Sequence, residues 1–371
     1  MKYRMRHAKG RFIQVKFEHI PGSWFSTGTH DMKLAVLWAE KRLERDCQSD
    51  SKPITLADFA RNFFTEEDPR GFRHRNMRRG AVYDSTYYDK KQSQLDNYIL
   101  PAHGSYVLSA ITDVMIEDFF LDLTSYRNGR DLSDDTKNKV LMTYKDVLNE
   151  ARREGLIKSN PCDNVRTIVP RNEHRRHFTE SEMTRFFPED RKELIRIWWS
   201  LQWAVFFLIE RDTGFRPGEV AALSALNYYP EFKGIYTDSS VDYRTRELKH
   251  SLKTTRKGQP FKIGLLTDQT ASLLEELIQA NPEDPQLFKL NGIYINSDCA
   301  NNHLQACANR AGVDLDGRTQ YSFRHSFQTY REGKIPEQAL LLLMGHTSHR
   351  WEYSHLDPKE TLERVKAITE K

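Results

Sequence analysis

Four segments of the C-terminal half carry polar side chains where helices or strands should begin or end. In Thr213-Gly214-Phe215-Arg216-Pro217-Gly218-Glu219, Gly214 suits the end of one helix and Pro217 the first turn of the next. Arg216 therefore falls beside unpaired backbone N–H groups, and a guanidinium there joins the helix terminus in attracting an anion. Glu219 falls near the third helical position, able to cap the turn or to orient Arg216. Lys253, in Ser251-Leu252-Lys253-Thr254-Thr255-Arg256-Lys257-Gly258, sits on a strand just ahead of a glycine-containing turn, where an ammonium can act as a mobile proton donor. In Tyr321-Ser322-Phe323-Arg324-His325-Ser326-Phe327-Gln328, helical spacing gathers Tyr321, Arg324, His325 and Gln328 on one face. Phe323, Phe327 and Tyr330 then face a core. Gly345 is a natural helix stop after Leu340-Leu341-Leu342-Leu343-Met344, which leaves His346 where a helix terminus favours a cation. Tyr353 follows seven residues later. A tyrosine titrates near pH ~10, so it needs cationic neighbours to serve as a nucleophile. Taken singly, each segment has a plainer reading: a helix-start ion pair, a solubilising hairpin lysine, a solvated helix face, a packed tyrosine.

The chain that must position these residues has 371 amino acids, enough for two or three domains. Its 38% hydrophobic and 29% charged residues suit a soluble globular protein. The longest mostly apolar stretch, Ile197 to Ile209, is interrupted by Ser200 and Gln202 and falls short of the ~20 residues a membrane span needs. No apolar segment follows the basic N-terminus, so no secretory leader is expected. Cys47, Cys162, Cys299 and Cys307 form no C-x-x-C pair, which suits a reducing cytoplasm and disfavours a disulfide scaffold or a cysteine zinc site. There is no G-x-G-x-x-G, P-loop, H-E-x-x-H or calcium loop, so no nucleotide cofactor or metal is expected. The net charge of +4 is unevenly spread: residues 1–52 carry 11 basic and 6 acidic side chains, whereas residues 171–371 carry 28 of each.

Punctuation along the chain suggests three parts. Residues 1–52 read as a small α+β domain: a basic leading arm, strands at Arg11 to Phe17 and Trp24 to Ser26, and a helix from Asp31 with Leu34, Ala35, Trp38, Ala39 and Leu43 on one face. Residues 53–165 read as all-helical, with Thr55, Thr112 and Ser133 as N-caps and a helix over Thr86–Ile99 ended by Pro101. A basic run between the first two helices (Arg70, Arg73, His74, Arg75, Arg78, Arg79) reads as a loop offering phosphate contacts. A polar linker precedes residues 172–371, read as mainly helical with a small antiparallel sheet. There Thr179-Glu180-Ser181-Glu182 is a capping box, and one long apolar helix is expected from Lys192 to Glu210. Strands are expected over residues 234–266, and the last helices over Thr267–Ala280, Asp298–Arg310, Tyr321–Arg331 and Pro336–Met344.

Arg216, Lys253, Arg324, His346 and Tyr353, in this order and in these contexts, closely resemble the tyrosine recombinase, or phage integrase, family. The match runs from Thr-Gly-Phe-Arg-Pro-Gly-Glu through Lys253, Phe-Arg-His-Ser-Phe and Met-Gly-His to Tyr-Ser-His-Leu. The resemblance extends upstream. The helical part resembles the core-site DNA-binding domain of that family, and the first part the arm-site-binding domain of its larger integrases.

The resemblance implies a site-specific DNA recombinase of a mobile element, working on double-stranded DNA as a homotetramer in a prokaryotic cytoplasm, with accessory DNA-bending or directionality proteins as admissible partners. Tyr353 would attack a scissile phosphodiester to form a 3′-phosphotyrosyl link, Arg216 and Arg324 would clamp the phosphate, Lys253 would protonate the leaving 5′ oxygen, and His346 would assist. Two departures stand out. Tyr321 occupies the position, three before the second arginine, where the family usually has histidine or lysine. The spacing from His346 to Tyr353 is about two residues shorter than usual in the family. They leave open a non-catalytic DNA-binding relative; a type IB topoisomerase-like activity is a further alternative, though those enzymes lack the basic arm domain. The tail helix, with Leu362, Val365 and Ile368 in register, packs either on its own domain or on a neighbouring protomer.

Overall fold

A computed structural model describes residues 3–7, 12–18, 24–48, 53–68, 72–79, 85–169, 176–252, 260–345 and 357–369. The chain divides into two compact units, Met1–Asn172 and Glu173–Lys371. It is multidomain and mostly helical, with small antiparallel sheets.

The first unit opens with β1 (Tyr3–Arg6), β2 (Gln14–Phe17) and β3 (Phe25–Ser26), an antiparallel sheet in the order β1-β2-β3, followed by α1 (Met32–Gln48). The sequence reading treated Arg4 and Arg6 as a leading arm; they lie on a strand instead. Period-two alternation turns Tyr3, Met5, Val15, Phe17 and Phe25 towards Trp38 and Ala39 of α1. The Asp31 carboxylate accepts from the Lys33 and Leu34 N–H groups and starts α1. Leu34 was expected on the buried face but is exposed, because Ala35 and Ala39 let the helix sit close to the sheet.

Further along this unit come α2 (Leu56–Ala60), α3 (Phe72–Arg78), α4 (Ser85–Gln94), α5 (Leu100–His103), α6 (Asp113–Leu121) and α7 (Asp134–Arg153) around an aromatic-rich core. Thr55, Thr112 and Ser133 cap α2, α6 and α7 as expected. Two elements differ from the sequence reading. Pro101 does not end its helix: a π-turn over Leu95–Ile99 leads directly into α5, with Pro101 in the first turn where its missing N–H costs little. The basic run is partly a helix, because Phe72 packs on Phe63 and Phe64 while Arg75 pairs with Glu150 and Arg73 with Glu66.

In the second unit, α8 (Glu180–Phe186) leads into α9 (Arg191–Trp198) and α10 (Leu201–Thr213). These last two replace the single helix expected over residues 192–210. Trp199 takes a left-handed conformation and the Ser200 hydroxyl accepts from Trp203 N–H, restarting the helix. A short α11 (Pro217–Ala221) precedes β4 (Tyr228–Tyr229), β5 (Gly234–Thr237), β6 (Ser240–Val241), β7 (Leu248–Lys249) and β8 (Lys262–Leu265). Strands β4, β5 and β8 form one antiparallel sheet, in that order, and β6 pairs with β7. Then come α12 (Asp268–Ala280), the hairpin β9 (Lys289–Leu290) and β10 (Ile293–Tyr294), α13 (Ser297–Ala311), α14 (Tyr321–Arg331), α15 (Glu337–Met344) and α16 (Pro358–Thr369). The core is built on α10, whose residues 203–210 are all buried and which packs on α12, α14 and β8. The tail helix α16 takes the first of its two readings. Leu362 and Val365 pack within their own unit beside Ile263, Leu340 and Leu343, so they are not available to a neighbour in this conformation.

Candidate functional site: a buried cation cluster

The site grows from the end of α10. Gly214 closes that helix with φ +62°, and a Cβ there would press into the Phe327 ring, so α14 packs directly over the turn. The Thr213 hydroxyl donates back to Ile209 C=O and accepts from Phe215 N–H. This braces the turn, and buried Phe215 anchors the residue before Arg216.

Arg216 is the N-cap of α11 and Pro217 its first residue. An arginine has no acceptor atom, so it cannot cap in the usual sense. Glu219 supplies the cap bond instead, accepting from Arg216 N–H at 2.8 Å through Oε2 and from Arg216 Nη1 at 2.9 Å through Oε1. The helix-start ion pair of the sequence reading is therefore present, but it is one edge of a larger cluster.

Lys262 on β8 donates from Nζ to both Glu219 oxygens, at 2.7 and 2.6 Å, and its side chain is fully buried. Nothing in the sequence reading identified it. The available signal was a lysine inside Phe261-Lys262-Ile263-Gly264-Leu265, a strand too apolar to present a charge to water.

Arg324, on α14 and nearly buried, donates from Nη1 to Gly214 C=O at 2.5 Å and from Nη2 to Met344 C=O at 2.7 Å. It ties the turn before Arg216 to the last residue of α15. Gly345 then ends α15 at φ +65°, with its open side filled by the Lys262 stem, so that a Cβ there would strike Lys262 Cε. Two of the sequence-selected cations, Arg216 and Arg324, thus meet around Glu219 and Lys262, on elements more than 100 residues apart in the chain. Tyr321 is exposed on the first turn of α14, one turn ahead of Arg324. Lys253, His346 and Tyr353 lie outside the described residues.

Burial sets the electrostatics. It lowers Lys262 to about 7; Glu219 opposes that shift, and the positive charges of Arg216 and Arg324 add to it. Burial alone would raise Glu219, but Lys262 and Arg216 outweigh it and hold the carboxylate below its ordinary value. Arg324 is lowered to about 10, first by burial and then by Arg216, so it still carries its charge at neutral pH. With Lys262 protonated, three cations around one carboxylate leave two positive charges in excess at a water-poor site. Such a place is complementary to an anion whose charge grows during reaction. Among the described residues no group of histidine, cysteine, aspartate and glutamate side chains is arranged to hold a metal ion, and no helix is long and apolar enough to cross a membrane.

Known proteins resemble this chain in sequence and in fold. Residues 55–167 match the phage integrase SAM-like domain family. Over 289 residues the chain is 22% identical to a tyrosine recombinase XerC-like protein of Caldanaerobacter subterraneus subsp. tengcongensis, spanning 71% of this chain and 72% of that one. The Tn1549 transposon integrase, solved in complex with transposon right end DNA, superposes with a TM-score of 0.60 at 16% identity, covering 80% of this chain and 98% of that chain. A lambda integrase tetramer bound to a Holliday junction gives 0.54 at 14% identity, over 95% of this chain and 98% of that one.

Proposed function

We propose that this chain, which has the fold of the tyrosine recombinases and carries a phage integrase SAM-like domain, is a site-specific DNA recombinase of a mobile element. The observation that carries the reading is the cluster of Arg216, Arg324 and Lys262 around one carboxylate, two positive charges in excess. Arg216 and Arg324 grip the non-bridging oxygens of a scissile phosphodiester as negative charge builds. Tyr353 Oη attacks the phosphorus to form the 3′-phosphotyrosyl link, and the bond to the 5′ oxygen breaks. Lys253 gives that oxygen its proton, and His346 assists the phosphate or takes the tyrosine proton. No free energy is lost to hydrolysis, so the reverse attack by a 5′-hydroxyl reseals the strand. These roles for Lys253, His346 and Tyr353 rest on the sequence resemblance. The described residues on either side support them: Gly345, just before His346, lies against Lys262, and α16, which follows Tyr353, packs on the same sheet.

DNA contact outside the site has its own support. One face of the N-terminal sheet carries Arg4 opposite Lys16 and Arg6 opposite Gln14. Like charges directly across two strands repel unless an anion lies over them, so this face suits a DNA backbone at a second, arm-type site. In this reading residues 1–52 serve arm sites, residues 53–165 core sites and residues 172–371 catalysis. The working assembly is a homotetramer on DNA in the cytoplasm, open to accessory bending or directionality proteins. A nicked suicide duplex bearing the cognate site tests the chemistry. The wild-type protein should trap a covalent adduct and Tyr353→Phe should not. A wild-type protein that binds the site but never forms the adduct is the non-catalytic relative that Tyr321 and the short His346–Tyr353 spacing leave open.

A further inference from the structure

Glu219 is shared unequally between its two cations. Lys262 bonds both carboxylate oxygens, whereas the Arg216 side chain reaches only Oε1, through a single nitrogen, and remains about one-fifth exposed. An arginine and a carboxylate three residues apart on one turn would ordinarily close a two-bond fork. Lys262, together with the Arg216 backbone N–H, occupies Oε2, where the second bond of that fork would form. Its place is built into the fold: Lys262 is paired with Thr237 across β5 and β8, and its stem runs along Gly345, where any side chain would collide with it. A fully buried lysine is costly, and an apolar residue of similar volume is often no worse for stability. Its presence calls for a role beyond packing.

We propose that Lys262 is a positioning residue of the strand-transfer site, drawing the Glu219 carboxylate to itself so that the Arg216 guanidinium keeps free donors for the scissile phosphate. The inference rests on reading the cluster as a phosphodiester clamp. Lys262 touches no DNA in this scheme; it acts through Glu219. Its charge also completes the match to the reaction. With the ammonium protonated the cluster carries two excess positive charges, equal and opposite to the dianionic transition state of phosphoryl transfer. With it neutral the cluster carries one, equal and opposite to the resting diester.

Among the described residues, the charged groups facing Lys262 are Glu219 and Arg216 at the start of α11 and Arg324 from α14. On β5 its neighbour is Thr237, and α15 and α16 bring Leu340, Leu343, Met344, Leu362 and Val365 to the same sheet. Burial places Lys262 near 7, so its protonation responds to charge arriving in the site. A bound phosphate raises it, and the protonated form is lost again as pH rises.

The test is single-turnover adduct formation on the nicked suicide duplex, followed from pH 6 to 9 and normalised to folded protein. Lys262→Met should slow cleavage ~10²-fold, the scale of losing one oriented phosphate donor. Adding Glu219→Gln should recover about tenfold over the single variant, because a neutral amide no longer draws Arg216 from the phosphate. The double variant removes the buried carboxylate together with the buried ammonium and leaves Arg324 its two carbonyl bonds, so it tests the idea even where Lys262→Met fails to fold. The wild-type rate should fall on an alkaline limb beginning above about pH 7, and that limb should be missing from the double variant. A Lys262→Met protein that cleaves within about twofold of wild type overturns the inference alone. The same holds if the double variant is no faster than a folded single variant, or if it keeps the alkaline limb. A wild-type protein that forms no adduct overturns the clamp reading and this inference with it.

Discussion

Two glutamates of the second unit occupy the same local position and face different demands. Glu182 is the third residue of α8, and Glu219 the third residue of α11. At α8 the N-cap is Thr179, and the capping box is reciprocal: the Thr179 hydroxyl accepts from Glu182 N–H at 3.2 Å while Glu182 Oε2 accepts from Thr179 N–H at 2.8 Å. Arg318 then closes a two-bond fork on Glu182, at 2.7 and 2.6 Å, and spends its other donors on backbone carbonyls. Every charge there is matched. At α11 the N-cap is an arginine, the reciprocal bond is impossible, and the carboxylate is shared among cations that outnumber it. A local rule is broken at the second helix start and kept at the first. Such a breach is the mark of a site built for a ligand and not for stability alone.

Removing each carboxylate should separate the two most widely. Glu219→Ala strands a buried lysine beside two arginines and should cost ~3–5 kcal/mol in urea unfolding. Glu182→Ala leaves Arg318, 11% exposed, with backbone carbonyl partners, and should cost ~2–3 kcal/mol. Equal losses would mean that burial of the cluster adds nothing to the pairing. Next come the arginines. Arg324→Lys keeps a charge but cannot span Gly214 and Met344 C=O, so adduct formation should drop ~10²-fold. Arg318→Lys should leave cleavage unchanged, and a comparable loss there would erase the distinction between the two sites.

Acid titration sharpens the comparison further. The Arg318 fork, with Thr179, holds Glu182 at about 2 against an ordinary value of 4.5. A carboxyl depressed in the folded state stabilises above its unfolded pKa, and that contribution disappears as pH falls from about 4.5 through about 2. It is worth ~2–3 kcal/mol at most for a group that retains some contact with water. Unfolding midpoints measured across that range should flatten in Glu182→Gln. Gly345→Ala probes the packing of Lys262 itself. A left-handed alanine costs ~1–3 kcal/mol of stability and its Cβ displaces the Lys262 stem, so cleavage should fall more than stability does. A stability loss without a cleavage loss would show that the Lys262 position does not matter to the clamp.

Legibility followed the range of the forces. N-caps at Thr55, Thr112, Ser133 and Thr179, the stops at Gly214 and Gly345, and the span of α14 were readable because each depends on bonds within about one helical turn. The failures were also physical. Ile197 to Ile209 reads as one apolar helix, yet Ser200 can cap as well as it can sit mid-helix, and packing on α13 and α12 chose the break. Pro101 reads as a terminator, but a π-turn just before it rearranges the bonds it would otherwise break.

The sequence alone determined that Arg216 stands at a helix start, that Arg324 rides an aromatic-anchored helix, and that His346 follows a helix stop, since side-chain type and short-range hydrogen bonding decide such things. The order of those residues, with Lys253 and Tyr353, also carries the resemblance to the tyrosine recombinases. Only the tertiary structure decided that Arg324 faces inward to join two chain turns, and that a lysine at the start of an apolar strand is the counter-ion of Glu219. Both depend on which distant elements exclude water together. Whether a charge is buried, and beside which other charges, is a property of packing that no local spacing encodes.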